Sequence, residues 1–270
     1  MPASEPELIT SAANPVVKRV RALAERKHRR RENAFVVEGL QPVWRAVTAG
    51  VDLELVVYAP QLLISRPAQD LVAELAGRGV RTVAVSAEIF GRLSERDSPA
   101  GLLAVVSGGL AGLEALTVTP DSLFVLLHEP ASPGNVGTII RTADAAGATG
   151  VILLGPGADP LSPAALKASM GSLFAQPVVA AGDESGLLGW ARSNRLHLVA
   201  LTGSGAQSLW QAELPRPLVV MLGNEGRGLT DSLLAAADAR VRIPMTGTAE
   251  SLNVAAAAAV ALFELSRRQV

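Results

Sequence analysis

The chain has 270 residues, 24 Lys and Arg against 25 Asp and Glu, and no cysteine. That length can bury a sizeable core and suits two modest domains, while the missing cysteine excludes a disulfide scaffold, a thiolate nucleophile and Cys-ligated zinc. The net charge of −1 hides an asymmetry, because residues 1–100 carry 14 basic and 12 acidic side chains and residues 101–270 carry 10 and 13.

The amino-terminal "MPASEPELITSAANP" has acids where a signal peptide would have a basic start and an apolar core. No apolar run reaches the ~18 residues of a membrane span, so the chain reads as cytoplasmic. Next comes "KRVRALAERKHRRR", Lys18 to Arg31, with eight basic residues and one acid, Glu25. Such a concentration suggests a polyanion partner. One helix with its following loop would present Lys18, Arg19, Arg26, Lys27, Arg29, Arg30 and Arg31 to phosphates. The plain alternative is a solvated surface helix. From Asn14 to Glu88 helices and strands alternate, the strands being "AFVVEG" (34–39), "LELVVYAP" (53–60) and "RTVAVS" (81–86), with a further strand in "GLLAVVSG" (101–108). Residues 1–107 are thus expected to form a small α/β domain. The unperiodic 108–119 is a linker, and 120–270 a second domain. There, strands are expected at 123–128, 150–154, 177–181, 196–201, 218–222 and 241–244. Apolar at nearly every position, they predict a mostly parallel sheet covered by helices, with ligands at the carboxyl ends of strands. Scarce aromatics argue against a stacking platform for single strands.

Three loops of this second domain carry polar residues worth weighing. In "HEPASPGNVGTIIRTADAAGATG", Asn135 opens a helix containing Arg141. Asn135 could be an N-cap and Arg141 a solvated partner of Asp144. In "PLVVMLGNEGRGL", an apolar strand ends in a loop with Gly223, Gly226 and Gly228 around Glu225. The glycine offsets miss the dinucleotide fingerprint, there is no P-loop Lys-Ser/Thr, and a carboxylate in the loop disfavours a phosphate ligand. In "RIPMTGTAESLNVAAAAAVALFEL", Ser251 and Asn253 precede a helix that begins almost wholly as alanine. They could be a simple helix start, though small side chains also permit close backbone packing. The histidines, His28, His128 and His197, have no metal-ligand spacing, and no metal is expected.

Taken together and in order, "NVGTIIRTADAAGATGVIL", "VVMLGNEGRGL" and "IPMTGTAESLNVAAAAAVALFEL" resemble the three motifs of SpoU/TrmH-class SPOUT RNA 2'-O-ribose methyltransferases. The first domain, with "NPVVKRVRAL", "RRRENAFVVEG" and "PVWRAV", is similar to the L30e-like substrate-binding domain of ribosomal RNA members, and "ASMGSLFAQPVV" points to the 23S rRNA type. The resemblance implies an α/β fold in which a carboxyl-terminal trefoil-knot domain with a mostly parallel sheet accompanies a smaller L30e-like α/β domain. It implies S-adenosylmethionine as cofactor, whose sulfonium tolerates a nearby carboxylate, held by Thr202, Gly203, Leu222, Gly223, Ile243, Met245 and Leu252. It further implies that Arg141 is the central catalytic residue, supported by Asn135, Glu225, Ser251 and Asn253, and that the protein is a homodimer acting on RNA, with 23S rRNA the expected substrate. Arginine keeps its proton in proteins, which favours a phosphate-clamping Arg141 over a general base. A tRNA methyltransferase and a non-catalytic knotted RNA-binding protein are the alternatives, and a nicotinamide-dependent dehydrogenase is disfavoured by the missing fingerprint.

Overall fold

The computed structural model describes residues 7–268. These fall into two compact units, one taking the chain up to Gly109 together with Leu161–Phe174, the other Leu110–Pro160 and Ala175 onward. A linear division at the linker places Leu161–Phe174 in the second domain, whereas by packing it belongs to the first unit.

The first unit runs β1 (Leu8–Ile9), α1 (Pro15–Ala22), α2 (Arg26–Glu32), β2 (Ala34–Glu38), α3 (Leu40–Thr48), β3 (Leu53–Tyr58), α4 (Arg66–Gly77), β4 (Thr82–Val85), α5 (Ala87–Leu93) and β5 (Leu102–Ser107). The strands form a sheet in the order β1-β4-β3-β5-β2, with β5 antiparallel to both neighbours. One sheet face packs Val17, Val20, Leu23, Ile89 and Phe90, and the other packs Val43, Leu71 and Leu75. This second core also takes in Leu166, and Phe174 stacks on Phe35 with ring centroids 6.3 Å apart.

The basic segment differs from the single helix expected of it. Asn14 caps α1, accepting from the Val16 N–H at 2.9 Å, and α1 stops at Ala22. A turn at Leu23–Glu25, with Glu25 extended, separates α1 from α2, so Arg19 does not share one continuous helix face with Arg26 or Arg30. Arg29 turns inward, only 5% exposed, and donates to the Leu23 carbonyl at 2.8 Å and the Ala24 carbonyl at 2.6 Å. It satisfies carbonyls that the end of α1 leaves open.

The second unit contains β6 (Leu123–His128), α6 (Pro133–Ala145) and β7 (Gly150–Leu154), then, after the segment given to the first unit with its helix α7 (Pro163–Ser169), β8 (Val178–Ala181), α8 (Glu184–Ser193), β9 (His197–Leu201), β10 (Gln207–Ser208), β11 (Leu218–Leu222), α9 (Asp231–Ala236), β12 (Ala239–Arg242) and α10 (Val254–Arg267). All seven strands are parallel, in the order β10-β12-β9-β11-β6-β7-β8. Strands β6, β7 and β11 are buried at every residue, which is why they read as unbroken apolar runs. Each fully buried aliphatic side chain there contributes about 1.5–3 kcal/mol relative to exposure. The last strand lies two residues earlier than its sequence signal, ending at Arg242. The small side chains of α10 bring it against α6, with Ala255, Ala258 and Ala261 fully or nearly buried.

Candidate active site

From β6 the chain moves outward through β7 to β8 and then returns to β9, β11 and β12 on the other side of β6. The strand order therefore reverses beside β6, and the loops after β6, β9, β11 and β12 meet at the carboxyl ends of neighbouring strands. A crevice at such a reversal is where parallel sheets bind ligands.

A cavity of about 490 Å³ opens there, and the seven residues named for cofactor binding all line it: Thr202 and Gly203 after β9, Leu222 and Gly223 at β11, and Ile243, Met245 and Leu252 after β12. Met245 and Leu252 keep 40% and 39% of their surface exposed, which leaves apolar side chains facing the opening. Glu225, Ser251 and Asn253 line it as well. Sequence reasoning overlooked Asn224 and Glu250, which also face the space. Glu250 stands in a polar stretch with no pattern to mark it, while Asn224 could have been noticed as a turn-forming Asn before Glu-Gly.

The loop after β11 is closed on itself. Asn224 and Gly228 exchange both backbone hydrogen bonds, at 3.0 and 2.8 Å, and Gly228 has φ +71°. The Asn224 side-chain oxygen accepts from the N–H groups of Gly226 and Arg227, and its amide donates to the Glu129 carbonyl at 2.7 Å. A Cβ on Gly223 would sit 2.2 Å from the Gly228 carbonyl carbon, so backbone passes backbone at that point and only glycine fits.

Glu225 leaves its own loop and reaches the start of α6. Its Oε2 accepts from the Ala131 N–H and its Oε1 from Asn135 Nδ2, both at 2.9 Å. Burial works to raise its pKa, but the bonds from Ala131, Asn135 and neighbouring N–H groups outweigh it, and the carboxyl lies below its usual range. The N-cap of α6 is Ser132, whose Oγ accepts from the Asn135 N–H at 3.3 Å, so the Asn135 side chain is released from capping. Its oxygen accepts from Asn253 Nδ2 at 3.3 Å. Asn253 is itself the N-cap of α10, its Oδ1 accepting from the Ala255 and Ala256 N–H groups. Asn135, Glu225 and Asn253 thus tie three loops together, and Asn253 both caps α10 and lines the cavity.

Arg141 lies on the exposed side of α6, six residues and about 9 Å of helix beyond Asn135, and is not among the residues lining the cavity. Among the basic residues named for RNA, Lys18, Arg26, Lys27, Arg30 and Arg31 are exposed, with Lys27 paired to Glu25 at 2.8 Å and Arg31 to Glu32 at 3.2 Å. Arg19 is half-buried and bonded to Glu32 and Glu54, and Arg29 is unavailable to a phosphate.

Charge decides what the cavity can hold. Among the described residues its only ionisable lining side chains are the carboxylates Glu225 and Glu250, with no Lys or Arg. Such a lining suits a ligand with positive charge and an apolar body, and disfavours a phosphate or pyrophosphate. Among the described residues no group of three or more His, Asp or Glu could hold a metal ion, and no helix is long and apolar enough to cross a membrane.

The SpoU rRNA Methylase family matches residues 122–263, and the MRM3-like substrate binding domain matches residues 14–104. The chain belongs to the SpoU rRNA Methylase family. It is 34% identical to a 23S rRNA (uridine(2479)-2'-O)-methyltransferase of Streptomyces viridochromogenes, over 92% of this chain and 88% of that protein. It is 31% identical to the 23S rRNA (guanosine(2553)-2'-O)-methyltransferase RlmP of Bacillus subtilis, over 95% and 98%. The solved structure of an AdoMet-bound rRNA methyltransferase from Sinorhizobium meliloti superposes with a TM-score of 0.89 and 35% identity, covering 98% of both chains. With SPOUT-type neighbours of this closeness, the α/β class, the mostly parallel sheet and the smaller amino-terminal α/β domain agree with the sequence expectation.

Proposed function

We propose that the protein is an S-adenosylmethionine-dependent methyltransferase that modifies a ribose 2'-oxygen of RNA, with 23S rRNA as its substrate. The observation that carries this reading is the cavity whose only charges among the described residues are two carboxylates, set at the meeting of loops that resemble the family's motifs. Gly223, Ile243 and Leu252 would hold the adenine and methionine parts, with Thr202 and Gly203 as a further wall. When bound, S-adenosylmethionine would supply a methyl group on its sulfonium sulfur, which leaves as a neutral thioether.

The chain's own residues have two tasks, to orient the ribose and to help remove its proton. The bonded Asn135, Glu225 and Asn253 fix the cavity wall where the ribose must enter, and Ser251 offers a hydroxyl beside them. Arg141, exposed on α6, clamps the phosphate next to the target ribose through charge-assisted hydrogen bonds, and that phosphate or a water takes the proton. Because Arg141 lies outside the cavity of its own chain, and Phe263 on α10 is 53% exposed, a homodimer that completes each site across its interface is part of the proposal. So are threading of the segment from β12 through α10 into a trefoil knot, which the small side chains of α10 packed on α6 would permit, and a cytoplasmic location.

Mapping 2'-O-methylation across unmodified 23S rRNA, with and without the protein and S-adenosylmethionine, tests the reading. One protein-dependent site is expected. Methyl transfer to tRNA alone, or none to any RNA despite cofactor binding, would overturn the rRNA assignment.

A further inference from the structure

A second cleft, of about 260 Å³, lies wholly within the first unit, between α1, β2, the end of α5 and α7. One part of its wall is apolar, formed by Val20, Val36, Leu93 and Leu166. Four cations surround these walls: Arg21 on α1, Arg92 on α5, Arg96 on the loop that follows, and Lys167 on α7. They face two carboxylates, Glu38 and Glu95, and Arg92 is paired with Glu88 at 2.7 Å, which leaves a positive excess of one.

The carboxylate of Glu38 is held at the edge of the cleft and offsets part of the charge of Arg96. Glu38 is engaged on both oxygens, accepting from Ser94 Oγ at 2.5 Å and from the Glu95 N–H at 3.2 Å, and Arg96 Nε lies 4.0 Å from it. Arg96 Nε is buried without a hydrogen-bond partner, a donor that a bound anion would satisfy. Lys167 is fixed over the cleft by donating to the Glu95 carbonyl at 3.0 Å, and a carbonyl leaves its charge intact. Lys167 arrives from the middle of the methyltransferase sequence, since α7 is the segment that packs with the first unit.

We propose that this cleft binds one unpaired nucleotide of the RNA substrate, its base against the apolar wall and its phosphate on Arg21, Arg96 and Lys167. A bare anion site would have no use for the apolar wall, and a duplex could not insert a base into a recess. Unpaired bases are what proteins read in RNA, and guanidinium planes serve as stacking partners where aromatics are absent. The proposal rests on the RNA-substrate reading above.

The test uses the full chain and the double variant Arg21→Gln/Lys167→Gln. Both side chains are exposed, and thermal unfolding and S-adenosylmethionine affinity are expected to match the parent. Titrations use unmodified 23S rRNA, a single-stranded 12-mer and a duplex of equal length, over a range of salt. The variant should bind rRNA and the single strand at least fivefold more weakly. Its salt slope should flatten by about 1.4, or 0.7 for each lost contact, with little change for the duplex. Unchanged affinity and slope overturn the cleft while leaving the methyltransferase reading intact. Equal losses on single strand and duplex, or full competition by inorganic phosphate alone, reduce it to an anion patch and overturn the nucleotide assignment. A parent protein that binds no RNA at all would instead remove the RNA-substrate reading on which it rests.

Discussion

Asn135 and Glu225, 90 residues apart in the chain, meet with Nδ2 and Oε1 at 2.9 Å, and this bond fixes the start of α6 to the loop after β11. Glu225→Gln keeps the shape but places an amide against Asn135 and the Ala131 N–H, and Asn135→Asp sets a second carboxylate against the first. Both should weaken S-adenosylmethionine binding about tenfold by calorimetry, the Asp variant more than Asn135→Ala because it adds repulsion.

The same contact sets a pH dependence. The folded pKa of Glu225 is held below its usual value, so its contribution is fully present above the ordinary carboxylate range and is lost as pH falls through the lowered value. Thermal melts of parent and Glu225→Gln should therefore differ by a constant amount from neutral pH down to about 5 and converge in stronger acid. A gap that widens on acidification would show that the carboxylate is not stabilised in the fold.

Glycines in the site are not equivalent. At Gly223 even a methyl group would collide with the backbone of Gly228, whereas at Gly203 nothing lies within 4 Å. Gly223→Ala should cost about 1–3 kcal/mol in denaturant unfolding, the usual penalty for overpacking, and lower cofactor affinity. Gly203→Ala should leave stability within about 0.5 kcal/mol.

Arg141→Ala should lose methyl transfer by two or more orders of magnitude while keeping the melting temperature and cofactor affinity. Its side chain is exposed and outside the cavity, so a loss confined to kcat marks an interaction used in the transition state. Turnover near that of the parent would make it an ordinary surface arginine.

The basic segment separates two roles by position. Arg29→Ala should destabilise the protein by about 1–3 kcal/mol, since it strips buried carbonyls of their donor, without changing the salt slope of RNA binding. Lys18→Ala/Arg30→Ala should do the reverse, flattening the slope by about 1.4 at constant stability. Gel shifts at several salt concentrations, beside urea titrations, check both.

What could be read in advance follows from which residues obey strong rules. Leu218–Leu222 is buried at every position and ends in a glycine loop, so strand and loop were legible there, and Glu225 spoke against a phosphate, while the cofactor itself followed only from the resemblance. The polar residues that converge on the cavity were legible only as three motifs in order, because nothing in one loop states that Asn135 will touch Glu225. Arg29 was misread for a physical reason, since an arginine in a basic run is nearly always solvated. The break at Leu23–Glu25 carries no glycine or proline to announce it. Nor does the composition of Pro163–Ser169 reveal which unit it will join, as its apolar face would suit either.

The membership of Leu161–Phe174 in the first unit bears on how such a protein can be taken apart or recombined. A gene severed at the linker would deliver an amino-terminal half stripped of the Phe174 ring that stacks on Phe35 and of Leu166 in its core. Exchange of substrate-binding modules between relatives would therefore succeed only when a fourteen-residue patch far downstream travels with them, so that the unit of inheritance here is two separated stretches of chain.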